Sequence, residues 1–250
     1  MVTIPLQQGI IYGPINSRRL GRSLGINVLP TQFKMCSFNC VYCQYGWTPS
    51  QPQKFEWLTV REILLAVEGA LENVSPAPDF ITFSGNGEPT LHPDFPELVT
   101  GVCQLRDRYS PQSRTALLSN STTVTEQKIR KAIYEIDVAI MKLDCGEPTC
   151  FLHYNRPNIG ISLEEIVGGF RKIRGITIQS LFTGGAAGNF TDRNVDAWIE
   201  KLVQISPDYV QLYTLDRGYP SEQIEAVSTT QLLSIRKKLV RAGVPAAVYE

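Results

Sequence analysis

Three cysteines fall within eight residues, Cys36-Ser37-Phe38-Asn39-Cys40-Val41-Tyr42-Cys43, on a segment that follows a predicted strand. Thiolates are the protein ligands of iron-sulfur clusters, and three of them on one short loop can hold three irons of a cubane. The fourth iron is then left without a protein ligand. Open catalytic zinc sites follow the same logic, a missing protein ligand leaving room for another molecule on the ion. Other readings ask for other residues. A zinc site wants a fourth Cys or His at short spacing, and none occurs before His92. A disulfide would leave one thiol over and suits an exported chain better. Unrelated core cysteines do not usually cluster among residues such as Ser37, Asn39, Gln44 and Gly46. The spacing therefore favours a cluster.

A second motif, Ser84-Gly85-Asn86-Gly87-Glu88-Pro89, closes another predicted strand. Glycines lack Cβ, so backbone groups can approach a ligand closely and take positive φ. With Cys-x3-Cys-x-Tyr-Cys, in which Tyr42 fills an aromatic position, these residues resemble the radical SAM superfamily. The opening stretch Tyr12-Gly13-Pro14-Ile15-Asn16-Ser17-Arg18-Arg19-Leu20-Gly21-Arg22-Ser23-Leu24-Gly25 is similar to a prokaryotic subgroup related to the tRNA wyosine-base (4-demethylwyosine) synthase. The likeness runs over nearly the whole chain, including Asn155-Arg156-Pro157 and Tyr213-Thr214-Leu215-Asp216-Arg217. One departure is Asn86, which separates two glycines that the family usually shows side by side.

The resemblance implies a [4Fe-4S] cluster on Cys36, Cys40 and Cys43, with S-adenosylmethionine chelating the unique iron. One electron, from a donor such as flavodoxin or ferredoxin, would cleave it to a 5'-deoxyadenosyl radical that takes hydrogen from a substrate. The cofactor-binding residues implied are Tyr42, Gly85, Gly87, Glu88 and Asn120. The wyosine synthase also carries a second cluster on upstream cysteines and a lysine that captures pyruvate. Here no cysteine precedes Cys36 and no lysine precedes Lys34, so that reaction is not expected.

The 250 residues suffice for one core, read as a single domain over 1–250. Residues 1–30 form an N-terminal extension and first strand, 31–46 the cluster loop and 47–250 the remainder. Basic and acidic residues balance at 24 each, so net charge argues for neither nucleic acid nor membrane, although RNA remains an open substrate. The balance is uneven, since residues 1–60 hold Arg18, Arg19, Arg22, Lys34 and Lys54 against Glu56 alone. No apolar run approaches the ~18 residues of a membrane span. Met1-Val2-Thr3-Ile4-Pro5 does not open like a signal peptide, and the cysteines then suit a reducing cytoplasm.

Predicted strands at 23–29, 79–84, 115–118, 137–143, 176–182 and 209–215 alternate with helices. The helices are read at 59–72, 94–108, from Thr125, 162–173, 193–205 and 229–242, and a short strand at 246–249 ends the chain. Residues 50–56, with Pro52, read as a connector. Such alternation argues for an α/β fold with a parallel sheet. The resemblance narrows it to a six-unit partial (β/α)6 TIM-like barrel, with chemistry at the strands' C-terminal ends.

Among chemistry-bearing residues, Lys142, Asp144 and Cys145 sit at the exit of the fourth predicted strand and are the catalytic candidates. Asn120 reads either as a ligand contact or as a helix-capping residue. Cys145 and Cys150 are too few for a second cubane, and Cys103 lies mid-helix; structural burial is the default for all three. Arg18, Arg19 and Arg156 are the substrate candidates, because guanidinium groups hold carboxylate or phosphate bidentately. Two further functional classes remain at this stage: an activating enzyme that makes a radical on a partner protein, and a non-catalytic iron-sulfur or zinc protein.

Overall fold

The structure, a computed structural model, describes residues 3–51 and 53–249. Pro52 of the connector, Met1 and Val2 of the N-terminus, and Glu250 lie outside the described residues.

An antiparallel hairpin begins the sheet, β1 (Ile11–Ser17) pairing with β2 (Gly21–Ile26). After the cysteine loop the chain alternates: α1 (Val60–Asn73), β3 (Phe80–Phe83), α2 (Phe95–Tyr109), β4 (Arg114–Ser119), α3 (Gln127–Ile133) and β5 (Val138–Lys142). It continues through α4 (Pro148–Tyr154), α5 (Leu163–Phe170), β6 (Ile176–Leu181), β7 (Thr183–Gly184), α6 (Asp192–Ile205) and β8 (Tyr209–Tyr213). The last elements are β9 (Glu225–Ala226), α7 (Thr229–Arg241) and β10 (Ala246–Val248). The main sheet runs β1-β2-β3-β4-β5-β6-β8-β10, every pair parallel except the first. Strands β7 and β9 form a separate ribbon.

The sheet is curled. Arg19, in the turn between β1 and β2, donates from Nη1 to Gln179 Oε1 on β6 at 2.7 Å and to Gln211 Oε1 on β8 at 3.2 Å. Strands lie ~4.8 Å apart, so in a flat sheet β2 and β6 would be about 19 Å from each other, beyond the reach of one side chain. Sequential parallel strands with helices between them, bent until one edge touches the far strands, make the expected TIM-like partial barrel.

Local chemistry explains the helix starts. The Thr59 hydroxyl accepts from Glu62 N while Glu62 reaches back to Thr59 N at 2.7 Å, a full capping box. Ser228 and Gln231 repeat it on α7. Helix α1 then buries Ile63, Val67 and Leu71 on one face, and β5 buries Ala139, Ile140 and Met141 together, as a strand covered on both sides must. The barrel floor is filled by Leu20, Ala116 and Ile140 with Phe80, Leu118 and Val138.

Besides strand β1 and the β7–β9 ribbon, which have no counterpart among the predicted strands, two element readings differ. The turn at Thr122–Thr125 is a 3-10 helix and α3 starts only at Gln127, because Thr125 is not the cap: Glu126 holds that position without a side-chain bond. The stretch 148–154, left unassigned by periodicity, is helix α4, in which Phe151 and Tyr154 are the buried residues.

Candidate functional site

The cysteine loop leaves the C-terminal end of β2 and is clamped from two sides. On one side Met35 N donates to Asn86 O at 2.9 Å and Glu88 N to Met35 O at 3.0 Å, zipping the loop to the segment after β3. On the other, Asn39 N donates to Asn155 O at 3.0 Å, Val41 N to Tyr154 O at 3.0 Å and Asn158 N to Ser37 O at 2.9 Å. Within the loop, the buried Lys34 ammonium donates to Gly46 O at 2.8 Å.

This zipper explains the glycines without any ligand. Gly87 has φ +150°, and a Cβ there would lie 1.7 Å from Met35 O. At Gly85, φ is +129° and a Cβ would lie 2.5 Å from Asn27 Oδ1. Between them Asn86 is fully buried. Its amide donates to Gln7 O and Pro30 O, both at 2.9 Å, and its Oδ1 accepts from Gln7 N at 2.8 Å. The residue that departs from the family pattern thus ties the N-terminal segment to the motif.

Cys36, Cys40 and Cys43 line one cavity of about 540 Å³, together with Gly85, Gly87 and Asn120. All three thiols are free. Burial pushes the Cys36 thiol up to about 12. It pushes Cys40 up to about 11, the Asp144 carboxylate adding to the effect. Two amides nonetheless point at these sulfurs: Asn120 Nδ2 lies 3.3 Å from Cys36 Sγ and Asn155 Nδ2 lies 3.5 Å from Cys40 Sγ. A thiol is a weak acceptor, a thiolate a strong one. Buried sulfurs that meet N–H donors fit thiolates whose charge is balanced by metal, the outer-shell pattern of iron-sulfur sites. Among the described residues no three His, Cys, Asp or Glu side chains converge on a single ion. A cubane asks for no such convergence, since each cysteine meets a different iron.

Glu88 is buried, and its carboxylate accepts four bonds. Thr90 N (3.2 Å), Thr90 Oγ1 (2.5 Å) and Ser119 Oγ (2.9 Å) reach Oε1, and Asn120 N reaches Oε2. Burial raises its pKa against the pull of these donors. Glu88 therefore locks the ends of β3 and β4 together and sets Asn120. Asn120 in turn donates to Ser37 Oγ at 2.9 Å and accepts from Thr122 N and Oγ1, both at 3.0 Å.

A second network centres on Asp144. Its Oδ2 accepts from Tyr42 OH and from Asn155 Nδ2 at 2.7 Å, and its Oδ1 accepts from Leu181 N at 2.9 Å. Lys142 Nζ lies 3.6 Å from Asp144 and donates to Tyr213 OH at 3.0 Å. Burial alone would lower the Lys142 ammonium, but Asp144 and Tyr213 hold it above its ordinary range. The Tyr42 phenol is raised by burial and by Asp144.

The arginines separate. Arg19 sits inside the cavity with its guanidinium 4.8 Å from the Tyr213 ring centroid. Arg18 also lines the cavity and pairs with Asp216 at 2.9 Å. Arg156 is exposed, stacked 4.7 Å from the Trp47 ring centroid and outside the cavity lining. Cys145 and Cys150 also lie outside it, their sulfurs in contact at 2.6 Å. Cys103 Sγ points to Glu135 O at 3.4 Å, and His92 bonds Leu58 O at 2.9 Å, away from the cysteines. Residues that sequence reading did not single out are Asn27, Asn155 as a sulfur donor, Gln179 and Gln211. Their partners lie up to 192 residues away, so local pattern carries no signal for them.

A family model described as the radical SAM superfamily matches residues 33–211. The chain is 34% identical over 224 residues to the UPF0026 protein slr1464 of Synechocystis sp., covering 85% of this chain and 78% of that one. It is 32% identical over 232 residues to a Brachyspira hyodysenteriae protein named GTPase Obg, covering 91% of this chain but spanning only 33% of that protein. This sequence contains no Gly-x4-Gly-Lys-Ser/Thr phosphate loop that would match such a name. Among solved structures, a radical SAM methyltransferase from Sphaerobacter thermophilus has a TM-score of 0.67 at 15% identity, over 90% of this chain and 65% of that one. TYW1 with a lysine-pyruvate adduct bound gives 0.62 at 15%, over 88% and 73%. At these identities the likeness is one of fold. The family match covers well over half of the sequence, and the protein belongs to the radical SAM superfamily. Members of that superfamily are radical enzymes that use S-adenosylmethionine and an iron-sulfur cluster. Its relatives above 30% identity include the UPF0026 proteins.

Proposed function

We propose that this protein is a radical SAM enzyme in which Cys36, Cys40 and Cys43 hold one [4Fe-4S] cluster and the adjoining cavity binds S-adenosylmethionine. The observation that carries the reading is the convergence of the three cysteines with Gly85, Gly87 and Asn120 on one cavity at the C-terminal ends of β2, β3 and β4. When bound, the pair supplies a one-electron reductive cleavage and a carbon-centred radical able to take hydrogen from a substrate. The chain's residues do the positioning. Asn120 and Asn155 orient donors at two sulfurs, Glu88 fixes Asn120, and the Tyr42–Asp144 bond holds the aromatic position of the motif against β5.

No helix of the described residues is long and apolar enough to cross a membrane. The substrate is read as an anion, either RNA or a small metabolite. Arg18, Arg19, Lys34, Lys142 and Arg217 line the cavity; Asp216 pairs with Arg18 and the neighbouring Asp144 with Lys142, and with Glu88 also counted positive charge is still in excess. The electron is read as coming from an external donor of the flavodoxin or ferredoxin type. Residues 1–55, which include the whole cysteine loop, hold no Asp or Glu, and that suits an acidic carrier.

Anaerobic reconstitution tests the core of this reading. It should yield about four irons and four sulfides per chain, with 5'-deoxyadenosine formed on adding S-adenosylmethionine and dithionite. Zinc in place of iron would refute it. For the substrate, RNA affinity that falls steeply with salt would separate nucleic acid from a metabolite.

A further inference from the structure

Outside the cavity, Cys145 and Cys150 bring their sulfurs to 2.6 Å. A disulfide bond is about 2.05 Å long; the two sulfurs are within ~0.6 Å of it while both residues are free thiols. Their approach is fixed by the backbone between them. Gly146 N donates to Asn194 Oδ1 at 2.9 Å, Glu147 N to the same oxygen at 3.3 Å, and a Cβ on Gly146 would lie 1.9 Å from Trp198 N. The turn between the two cysteines is thus held against α6. Cys145 is wholly buried and Cys150 partly exposed, which gives the pair an outer sulfur to meet a reagent and an inner one to resolve it. Both flank the groups that hold the cysteine loop: Cys145 follows Asp144, and Cys150 lies in α4, whose C-cap is Asn155, the donor to Cys40 Sγ.

We propose that Cys145 and Cys150 form a reversible dithiol–disulfide site that exchanges with low-molecular-weight disulfides, and that its bridged form clamps Asn155 against Cys40. The Cys150 thiolate attacks one sulfur of the reagent, breaks its S–S bond and releases one thiolate, which takes up the proton that Cys150 lost. The Cys145 sulfur then attacks Cys150 of the mixed disulfide, and its proton leaves on the second reagent thiol. Two electrons pass from the protein to the reagent, which ends as two thiols. The clamping half of the proposal rests on the cluster reading; the disulfide half does not.

The test treats the cluster-loaded protein anaerobically with oxidised glutathione, quenches in acid, labels with N-ethylmaleimide and reads the peptides by mass. Expected is a Cys145–Cys150 segment lighter by two hydrogens and unlabelled, restored to two labels by dithiothreitol. Cys145→Ser should stop at one glutathione on Cys150. Two labels after treatment, or a glutathione adduct that persists on Cys150 in the wild-type chain, would overturn the site. In parallel, iron release to a chelator should be at least twofold slower from the bridged protein; equal rates would overturn the clamp. The mass readout needs no cluster, so failure of the radical SAM reading and failure of this site give different results.

Discussion

Replacing Gly87 by alanine separates two reasons for a glycine beside a cofactor. If the glycine only admits a ligand, Gly87→Ala should fold normally, load iron and lose only S-adenosylmethionine affinity. The geometry says more, because the added Cβ would fall 1.7 Å from Met35 O, a backbone atom with no way to swing aside. Relief must pull Met35 from the segment after β3 and break the bonds Met35 N to Asn86 O and Glu88 N to Met35 O. Each is worth about 1 kcal/mol, and a non-glycine residue at such a φ costs ~1–3 kcal/mol. The reduced freedom of the unfolded chain returns about 0.5–1 kcal/mol, so the net loss is about 3 kcal/mol. Gly160→Ala is the control, since Gly160 has φ +90° with nothing within 4 Å of its Cβ position. It carries the dihedral strain without the collision. Urea unfolding of both variants, with a slope of about 3 kcal/mol/M, should place the Gly87→Ala midpoint roughly 1 M below wild type and the control much closer to it. Iron content should also fall in Gly87→Ala, because Met35 precedes Cys36. Equal midpoints for the two variants, with full iron in both, would refute the zipper argument.

Glu88→Gln leaves one acceptor oxygen for four donors and turns an NH2 toward a hydroxyl or a backbone N–H; a loss of about 2–3 kcal/mol in chemical denaturation is expected, with lower iron content as Asn120 shifts from Cys36. Cys40→Ala should abolish cluster absorbance and cofactor cleavage, while Cys103→Ala, whose sulfur points to Glu135 O away from the cavity, should keep both. Proton linkage gives a pH dependence with a definite sign. Cys36 and Cys40 are raised from 9.0 to about 12 and about 11, so proton binding stabilises the metal-free fold below about pH 9 and that contribution disappears as pH climbs through 11–12. Cluster uptake must expel those protons, so iron loading in anaerobic reconstitution should be fuller at about pH 8.5 than at about pH 6.5; the opposite order would contradict the burial of these thiols.

Much of the barrel was legible because its signals are local. Thr59 with Glu62 three residues on marks the start of α1, and the apolar run Val138–Met141 marks a strand covered on both faces. The cysteine spacing and Gly87-Glu88-Pro89 marked the candidate site for the same reason. The hairpin strand β1 was not legible: it is an edge strand with a burial pattern that never reaches a fully buried residue, so it lacks the apolar alternation that announces strands. Helix α4, at seven residues, is too short to show a period. Within the site, Glu88 and Asp144 present types that suggest ligand contact or acid-base work, yet the fold spends their oxygens on Thr90, Ser119, Asn120, Tyr42, Asn155 and Leu181. Those partners come from other strands and loops, and only the closed barrel brings them together. The same holds for Arg19, whose glutamine partners are 160 and 192 residues away.

The central claim is an iron that three cysteines leave open for S-adenosylmethionine. Electron paramagnetic resonance of the anaerobic, dithionite-reduced protein, recorded before and after adding S-adenosylmethionine, tests it most directly. A reduced [4Fe-4S] signal that changes shape on addition is expected, because a new ligand would join one iron. A signal that stays the same, or its absence from iron-replete protein, would contradict it.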